Sequence, residues 1–305
     1  MDIQSLRKMR NNDLAKITAE FQKSSQGGGR SFEDTRFWKP ERDKAGNASA
    51  TIRFLPNTEA DQLPWVKVYS HGFQGPTGKW YIEESLTTIG QTDPVAEINS
   101  KLWNSGIEAN KEIARKQGRR THYIANILVV DDPKHPENNG KVFLFKFGKK
   151  IFDKIMDKAN PTFEDEDPVN VFDYWEGANF KLRMKQVEGY PNYDTSAFQD
   201  PTPVAEDDED IVAIANKQFA LSEFVDPKKF KSYEELKRKL ADVLNEEYVG
   251  LSAAQIAEKE DIPVRSAPAP KAAPAPEPKA TKPAPEVTDD DDDVSAYFAQ
   301  LAEED

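Results

Sequence analysis

The sequence contains no cysteine and only three histidines among its 305 residues. The absence of cysteine excludes disulfide bonds, thiolate metal sites and cysteine nucleophiles. A histidine-based metal site would need His71, His122 and His135 to meet at one place. No apolar run approaches the roughly 20 residues that span a bilayer, and the first ten residues lack the apolar segment of a signal peptide. We therefore expect a soluble protein that does not contact a membrane.

Sequence motifs of the common enzyme classes are also missing. The chain has no GxxxxGK[ST], GxSxG or HExxH pattern. Paired carboxylates occur in the acidic runs 164–167 and 206–210, but these runs have the composition of exposed loops. We therefore predict that the protein is not an enzyme and has no catalytic residues.

Charge is distributed unevenly along the chain. The net charge is −13, yet residues 1–160 carry 26 Lys/Arg against 20 Asp/Glu. Residues 283–305 contain nine acidic residues and no basic one. This asymmetry suggests contact with nucleic acid by the first half, with the acidic end acting as a competitor or a handle. A solvated acidic surface that keeps the protein in solution is the alternative, and charge alone does not choose between them.

The N-terminal segment, residues 1–25, has apolar residues at helical spacing, among them Leu6 and Met9. Arg7, Lys8 and Arg10 add positive charge to it. Glycine-rich residues follow directly, so this basic helical arm is a separate unit. It is too short to be a stable helix by itself.

Residues 30–250 alternate short β-branched and aromatic runs with turn signals. Helical periodicity interrupts them at 93–117 and 149–159, and returns over 211–261. Ser232 and Glu235 have the spacing of a capping box. The pattern predicts a mainly β fold with helical additions, built on a small barrel.

The C-terminal part has the composition of a linker and a tail. Residues 262–288 are rich in proline and alanine, which predicts an extended linker. Residues 289–305 begin with an aspartate run, which we expect to be disordered. The apolar residues Tyr297, Phe298 and Leu301 follow at helical spacing, and we interpret them as a peptide that docks on a protein partner. A purely solubilising tail is the alternative.

Basic and aromatic residues are interleaved along the predicted strands. Lys67, Tyr69 and Phe73 share one face of a strand, and Phe143 and Phe145 share a face of another. Aromatic rings stack on bases of any identity, and cations follow the phosphates, so this pattern suits single-stranded nucleic acid. Alternating aromatics also form ordinary cores, and for the phenylalanines that interpretation stays open.

Several long strings resemble those of one known family. They are AGNASATIRFLP, HGF with GKWYIE, YIANILVVDDPKHPENNGKVFLFKFGKKIFDKI, WEGANFKLRMKQVEGYPNYD and KFKSYEEL, in that order over about 40–245. The chain thereby resembles the single-stranded DNA-binding, or helix-destabilising, gene 32 proteins of T-even-type bacteriophages. The resemblance implies an OB-fold core with an inserted subdomain at about 64–117, and a protein that coats single-stranded DNA cooperatively and without sequence preference during replication, recombination and repair. It also implies that Arg7, Lys8 and Arg10 of the arm mediate self-association.

The resemblance further implies that the acidic tail recruits replication and recombination proteins, such as a polymerase, a helicase loader and a recombinase, and covers the DNA cleft when DNA is absent. The family also represses translation of its own messenger RNA, and its members act in the cytoplasm of the infected bacterium. By position, the resemblance places the family's DNA-binding residues at Arg53, Trp80, Trp103, Arg119, Arg120, Tyr123, Phe145, Lys146, Lys149, Lys150, Arg183, Lys185, Tyr190 and Tyr193.

The sequence departs from the family at its zinc site. Well-studied members hold zinc with one histidine and three cysteines, and the resemblance places that histidine at His71. The cysteine positions fall on Ser85 and within 93–96, where this chain has none. One imidazole does not make a tetrahedral site. We therefore expect no zinc and no other cofactor, and we expect packing by residues such as Val95 and Leu102 to stabilise the subdomain.

Two other functions remain open from the sequence. The same cleft would suit an RNA-binding translational regulator, because stacking does not distinguish RNA from DNA. An acidic scaffold whose barrel binds protein is the second alternative. It would show no salt-sensitive affinity for nucleic acid.

Overall fold

A computed structural model describes residues 34–59, 61–163, 165–187 and 189–245. The strands are β1 Ala48–Phe54, β2 Trp65–Gln74, β3 Trp80–Glu84, β4 Arg120–Asp131, β5 Val142–Phe147, β6 Ala178–Val187, β7 Tyr190–Asn192 and β8 Ala197–Pro201. The α-helices are α1 Pro94–Trp103, α2 Glu108–Lys116, α3 Lys149–Ala159, α4 Asp208–Ala215 and α5 Tyr233–Leu244. The prediction of a mainly β fold with helical additions is confirmed. The arm at 1–25, the linker at 262–288 and the tail at 289–305 lie outside the described residues.

The strands form one curled antiparallel sheet in the order β3-β2-β4-β1-β6-β7, with β5 on β4 and β8 on β6. Strand β4 is the longest. Its first half pairs with β2, its second half pairs with β1, and its other edge pairs with β5. The register of β1 shifts between Thr51 and Ile52. A bulge of this kind bends a strand and increases its twist, which lets the sheet curl around its core.

The main core fills the concave side of the sheet. Alternate residues of β4, including Ala125 and Ile127, enter it together with residues of β1, β5, β6 and α3. Ile124 lies on the opposite face of β4 in a second cluster, which Leu221 covers. Because both faces are covered, β4 reads as a nearly continuous apolar run rather than as an alternating one.

The β2–β3 hairpin and the helices α1 and α2 have a core of their own. Val95 and Leu102 are buried there, as the sequence predicted. Asp93 caps α1 through hydrogen bonds from the backbone N–H groups of Val95 and Ala96. In the part of the chain that the structure describes, no helix combines the length and apolar character needed to cross a bilayer.

Helix α5 packs on this hairpin and contributes Leu240, Val243 and Leu244 to its core. The predicted capping box at its start is present, with Ser232 and Glu235 bonded reciprocally. The turn of the hairpin approaches the helix so closely that a Cβ at Gly75 would lie 2.3 Å from the carbonyl oxygen of Val243. Only glycine fits at such a contact. The helix therefore fixes the hairpin in place beside the sheet.

Candidate nucleic-acid interface

A cleft of about 510 Å³ lies between the β2–β3 hairpin and the strands β5 and β6. One wall comes from β2 and β3, and the other comes from β5, β6, the start of α3 and the segment before β1. Its lining residues are Lys39, Pro40, Arg42, Ser70, His71, Gly72, Ile82, Glu83, Glu84, His122, Phe145, Lys146, Phe147, Ile151, Leu182, Met184 and Tyr193.

Three exposed cations line this cleft: Lys39, Arg42 and Lys146. Lys146 is among the residues expected from the resemblance, and the structure places it here. Lys39 and Arg42 were not predicted from the sequence, although the string RFWKPERDK combines basic and aromatic residues just before the first strand. That combination was a usable signal.

Two acidic residues also face the cleft. Glu83 is nearly buried and forms ion pairs with Lys231 and Lys239, at 2.5 and 2.7 Å, so its charge is balanced locally. Glu84 is exposed. The cleft is therefore lined by three cations and two carboxylates, one of which is paired with lysines outside the lining.

Tyr193 is the half-buried aromatic residue of the cleft, and it packs partly against the main core. Phe145 also lines the cleft, but it is buried in the core with its ring centroid 5.6 Å from that of Trp38. A ring held in this way is not free to stack on both sides of a base. We therefore expect Phe145 to pack the core, and Tyr193 is the more exposed of the two rings in the cleft.

Tyr123 does not line the cleft. Only 6 % of its surface is exposed, and its ring stacks on Phe152 with a centroid distance of 3.9 Å and an interplanar angle of 3°. Phe147 lies on it at 5.7 Å. Other aromatic side chains already lie against the ring of Tyr123, so we expect core packing from it rather than stacking on bases.

Arg53 is fully buried, which corrects its assignment as a cleft cation. Its Nη2 donates to the carbonyl oxygens of Asp173 and Thr202, both at 2.8 Å. A Cβ at Gly177 would lie 2.8 Å from the same nitrogen, so glycine is needed there. Burial lowers the pKa of Arg53 to about 10, although the charge of Asp173 opposes this effect. The guanidinium joins β1 to the loop before β6 and to the residue that follows β8.

Replacing Arg53 with Met should therefore lower stability rather than DNA affinity. Two carbonyl oxygens would lose their donor, at a cost on the order of 3 kcal/mol in the free energy of unfolding. Equilibrium urea denaturation measures this loss, and Lys181→Met, at an exposed position on the neighbouring strand, is the control. Unchanged stability with a weaker salt dependence of DNA binding would instead make Arg53 a phosphate ligand.

Arg119 and Arg120 lie where α2 leads into β4. The guanidinium of Arg119 sits 3.8 Å above the ring of Tyr69 and donates to Thr87 Oγ1 at 3.0 Å. Arg120 is buried beside Gly72, a residue of the cleft wall. Both arginines therefore support the hairpin wall, and neither side chain lines the cleft itself.

The two tryptophans that the resemblance placed among the DNA-binding residues lie in the part of the molecule formed by the β2–β3 hairpin with α1 and α2. Trp80 begins β3 and is half-buried. Trp103 ends α1, packs against the subdomain core and carries Arg115 over its ring at 5.3 Å. Neither tryptophan lines the cleft.

A second cavity of about 430 Å³ adjoins the cleft across β6, and we call it the β6 cavity; the carboxylates of Glu41 and Asp43 are part of its lining. Arg183 and Lys185, both predicted, line it together with Lys134. Met184 lines both the cleft and the β6 cavity, so the two are neighbours. The predicted Tyr190 is half exposed on β7, next to the end of β6. Three cations, accompanied by two carboxylates, therefore lie next to the cleft on the other side of β6.

Lys149 and Lys150 begin α3, immediately before Ile151 of the cleft. Lys149 is exposed and pairs with Asp153 at 2.6 Å. Lys150 is half-buried. The pKa of Asp194 is lowered mainly by the hydrogen bond from Asn192, and the charge of Lys150 lowers it further. Both lysines lie at the positive end of a helix, which adds to the local attraction for anions.

The positions that correspond to the family's zinc site hold a buried hydrogen-bond network. His71 Nδ1 donates to the carbonyl oxygen of Gln117 at 3.2 Å, and His71 Nε2 lies 3.4 Å from Asp93 Oδ1. The carboxylate of Asp93 accepts from Ser85 Oγ at 3.0 Å and from the N–H of Leu86 at 3.1 Å. Burial alone would raise the pKa of Asp93, but His71 and the hydrogen bonds lower it overall.

These residues do not fit a zinc ion. They offer one imidazole and one carboxylate, and that carboxylate already accepts hydrogen bonds, where a structural zinc takes four ligands. Within residues 34–245, apart from the three positions not described, no three His, Cys, Asp or Glu side chains converge as a metal site would require. The predicted self-association residues Arg7, Lys8 and Arg10 and the docking residues Tyr297, Phe298 and Leu301 lie outside the described residues.

Comparison with known proteins gives a consistent result. The model of the family described as "gp32 DNA binding protein like" matches residues 46–244. The "Single-stranded DNA-binding protein" of Enterobacteria phage T4 is 43% identical over 254 residues, which cover 81% of this chain and 83% of that protein. The protein of the same name from Enterobacteria phage T2 is 44% identical over 255 residues, with the same coverage. A third, from Enterobacteria phage RB70, is 40% identical over 114 residues, or 36% of this chain and 93% of that protein.

Proposed function

This chain belongs to the gp32 DNA binding protein like family, and from that premise we propose that it binds single-stranded DNA in the cleft, without sequence preference and without catalysing a reaction. The observation that carries the proposal is the convergence of Lys39, Arg42, Lys146 and Tyr193 on one open cleft. Cations that follow phosphates and a ring that stacks on any base are sufficient for binding of this kind.

The fold supports the proposal in two ways. The curled antiparallel sheet around one core is the arrangement expected of an OB-fold barrel, and we propose that this core is one. The hairpin that α5 holds in place forms the opposite wall, so the cleft exists before DNA arrives. A preformed cleft reduces the entropy lost on binding.

The finer roles extend this proposal beyond the described residues. We propose that the protein coats and protects single strands cooperatively during phage replication, recombination and repair, in the cytoplasm of the infected bacterium. The basic residues of the arm would mediate self-association. The acidic tail, with its apolar residues, would recruit replication and recombination proteins. The charges of these segments support the roles, since the arm is basic and the tail is acidic.

Fluorescence titration tests the binding function, because the chain has five tryptophans. We expect strong quenching by poly(dT), little response to duplex DNA, and a steep loss of affinity as salt rises. A parallel titration with poly(U) decides whether RNA is an equal ligand. A flat response to every nucleic acid at low salt would refute the proposal and favour the protein-binding scaffold.

We also propose that the protein holds no resident metal, and that the hydrogen bonds of His71, Ser85 and Asp93 perform the structural role instead. Metalloproteins whose folding depends on a metal lose stability when a chelator removes it. We therefore expect the melting temperature to be the same with and without EDTA, and elemental analysis to find zinc well below one atom per chain. A melting temperature that falls in EDTA and recovers with zinc would contradict this.

A further inference from the structure

Two of the three cleft cations lie on a segment without regular secondary structure. Residues 38–43, which we call the strap, precede β1, and their Lys39 and Arg42 are exposed and line the cleft. Backbone hydrogen bonds hold the two ends of the strap, from Trp38 to Leu144 and from Asp43 to Asn47. Between these ends, the contacts of side chains decide where the two cations lie.

Trp38 anchors the strap to the sheet. Its side chain is buried in the main core, with its ring centroid 5.6 Å from that of Phe145. Its Nε1 donates to Oδ2 of Asp132 at 2.9 Å, and both residues are buried. A hydrogen bond to a carboxylate is stronger than one between neutral groups. Because Lys39 follows Trp38 directly, the position of the indole ring determines where the side chain of Lys39 begins.

Asp132 joins the β4–β5 loop to the strap through one carboxylate. Its Oδ1 accepts hydrogen bonds from the backbone N–H groups of Lys134 and His135, at 3.3 and 3.2 Å. Its Oδ2 accepts from Trp38 at 2.9 Å and from the side-chain amide of Asn138 at 3.4 Å. A buried carboxylate needs such donors to offset the loss of water. One oxygen therefore shapes the loop, and the other holds the strap.

The same loop contacts the strap at a second residue. His135 Nε2 lies 2.6 Å from Oε2 of Glu41, which stands between Lys39 and Arg42 in the sequence. Glu41 lines the β6 cavity, whereas Lys39 and Arg42 line the cleft. The loop therefore holds the strap on the side away from the cleft, and the two cations lie on the side of the cleft.

We propose that Asp132 is a positioning residue for DNA binding, because it holds Trp38 and thereby places Lys39 and Arg42 where the phosphates pass. Asp132 itself does not line the cleft. The inference rests on the proposed function, since it assigns a task in DNA binding to a residue outside the binding site. It also explains why a buried negative charge is useful close to a site for an anion, where the charge alone opposes binding.

The test measures the fluorescence anisotropy of a labelled oligothymidylate of about eight nucleotides, a length that one copy accommodates. A label on the DNA keeps the signal independent of the protein's tryptophans. Trp38→Phe removes the Nε1–H donor and keeps an aromatic ring beside Phe145. Asp132→Ala removes the acceptor of the same hydrogen bond. Asp131→Ala removes an exposed carboxylate one position away and is the control.

Trp38→Phe and Asp132→Ala should each bind about tenfold more weakly at 0.1 M salt, with a slope of log affinity against log salt that is smaller by about 1. Loss of both phosphate contacts sets the limit, at about 1.4. Asp131→Ala should bind at least as tightly as the unmodified chain, because it only removes a negative charge. Loss of the Asp132 charge would by itself strengthen binding, so weaker binding indicates positioning. Unchanged or tighter binding by Trp38→Phe would overturn the inference.

A double-mutant cycle separates positioning from a general loss of structure. In a chain that already carries Lys39→Ala and Arg42→Ala, Trp38→Phe should weaken binding by less than about twofold, because the residues that it positions are gone. In a chain with Lys146→Ala, a change on β5, Trp38→Phe should still weaken binding about tenfold. An equal loss in both backgrounds would show that Trp38→Phe damages the cleft as a whole, and the inference would be wrong.

Two further outcomes are distinguishable. Circular dichroism at 0.1 M salt shows whether each variant is folded, and if Asp132→Ala is not, Trp38→Phe and its cycle decide the question. Absence of binding by the unmodified chain would refute the proposed function, and the inference with it. Normal binding by the unmodified chain together with the wrong result in the cycle would overturn the positioning role alone.

Discussion

Replacing Tyr123 with Ala is expected to lower the free energy of unfolding by about 3–5 kcal/mol, the usual cost of truncating a large buried aromatic side chain. The ring stacks on Phe152 at 3.9 Å and lies in the same core as Phe147, so its loss removes packing between β4 and α3. Equilibrium urea denaturation of the variant and the unmodified chain measures the effect. At temperatures where the variant stays folded, its intrinsic affinity for a short strand should change little.

Tyr193→Ala is the matched comparison, because this tyrosine is half-buried and lines the cleft. Loss of one stacking contact should weaken binding of a short oligothymidylate by about 1–3 kcal/mol. We expect a smaller loss of stability than Tyr123→Ala causes. The reverse pattern, with Tyr123→Ala stable but weak in binding, would contradict the assignment of both residues.

The second large effect concerns the three cations of the cleft. Changing Lys39, Arg42 and Lys146 together to Ala should reduce the slope of log affinity against log salt by about 2, at roughly 0.7 for each phosphate contact on a single strand. At 0.1 M salt, a slope smaller by about 2 means that the triple variant binds about 100-fold more weakly than the unmodified chain. A salt series of poly(dT) titrations measures both quantities.

A control for net charge is available elsewhere on the chain. Lys217, Lys228 and Lys237 are exposed and do not line the cleft, and changing them to Ala removes the same total charge. This control should leave the salt slope unchanged. If it lowers the slope as much as the cleft variant does, the affinity reflects overall charge, and the cleft is not where the strand binds.

Local structure was predictable where neighbouring residues decide it. The helical pattern at 149–159 corresponds to α3, and the spacing of Ser232 and Glu235 gave the cap of α5. Both signals depend on contacts three or four residues apart, so the sequence contains them directly. The segment 93–117 divides into α1 and α2, because Asn104 to Ile107, which include a glycine, interrupt the helix.

The assignment of individual side chains to the cleft was less predictable. Alternation along a strand separates two faces, but it does not say which face another element will cover. Tyr123 and Tyr193 have similar local contexts of charge and turns, yet α3 covers the first and leaves the second at the cleft. Lys39 and Arg42 lie outside every predicted strand, and only the fold places them opposite the hairpin.

The sequence by itself determined the chemistry that this protein has available. Without cysteine there are no disulfides and no thiolate zinc site, and the distribution of charge already separates a basic first half from an acidic end. The tertiary structure decided which charges and rings meet a ligand. Arg53 shows the reason. The carbonyl oxygens that accept its hydrogen bonds belong to Asp173 and Thr202, which lie 120 and 149 positions further along the chain. Contacts over such separations depend on how the sheet curls, and no local pattern of residues specifies them.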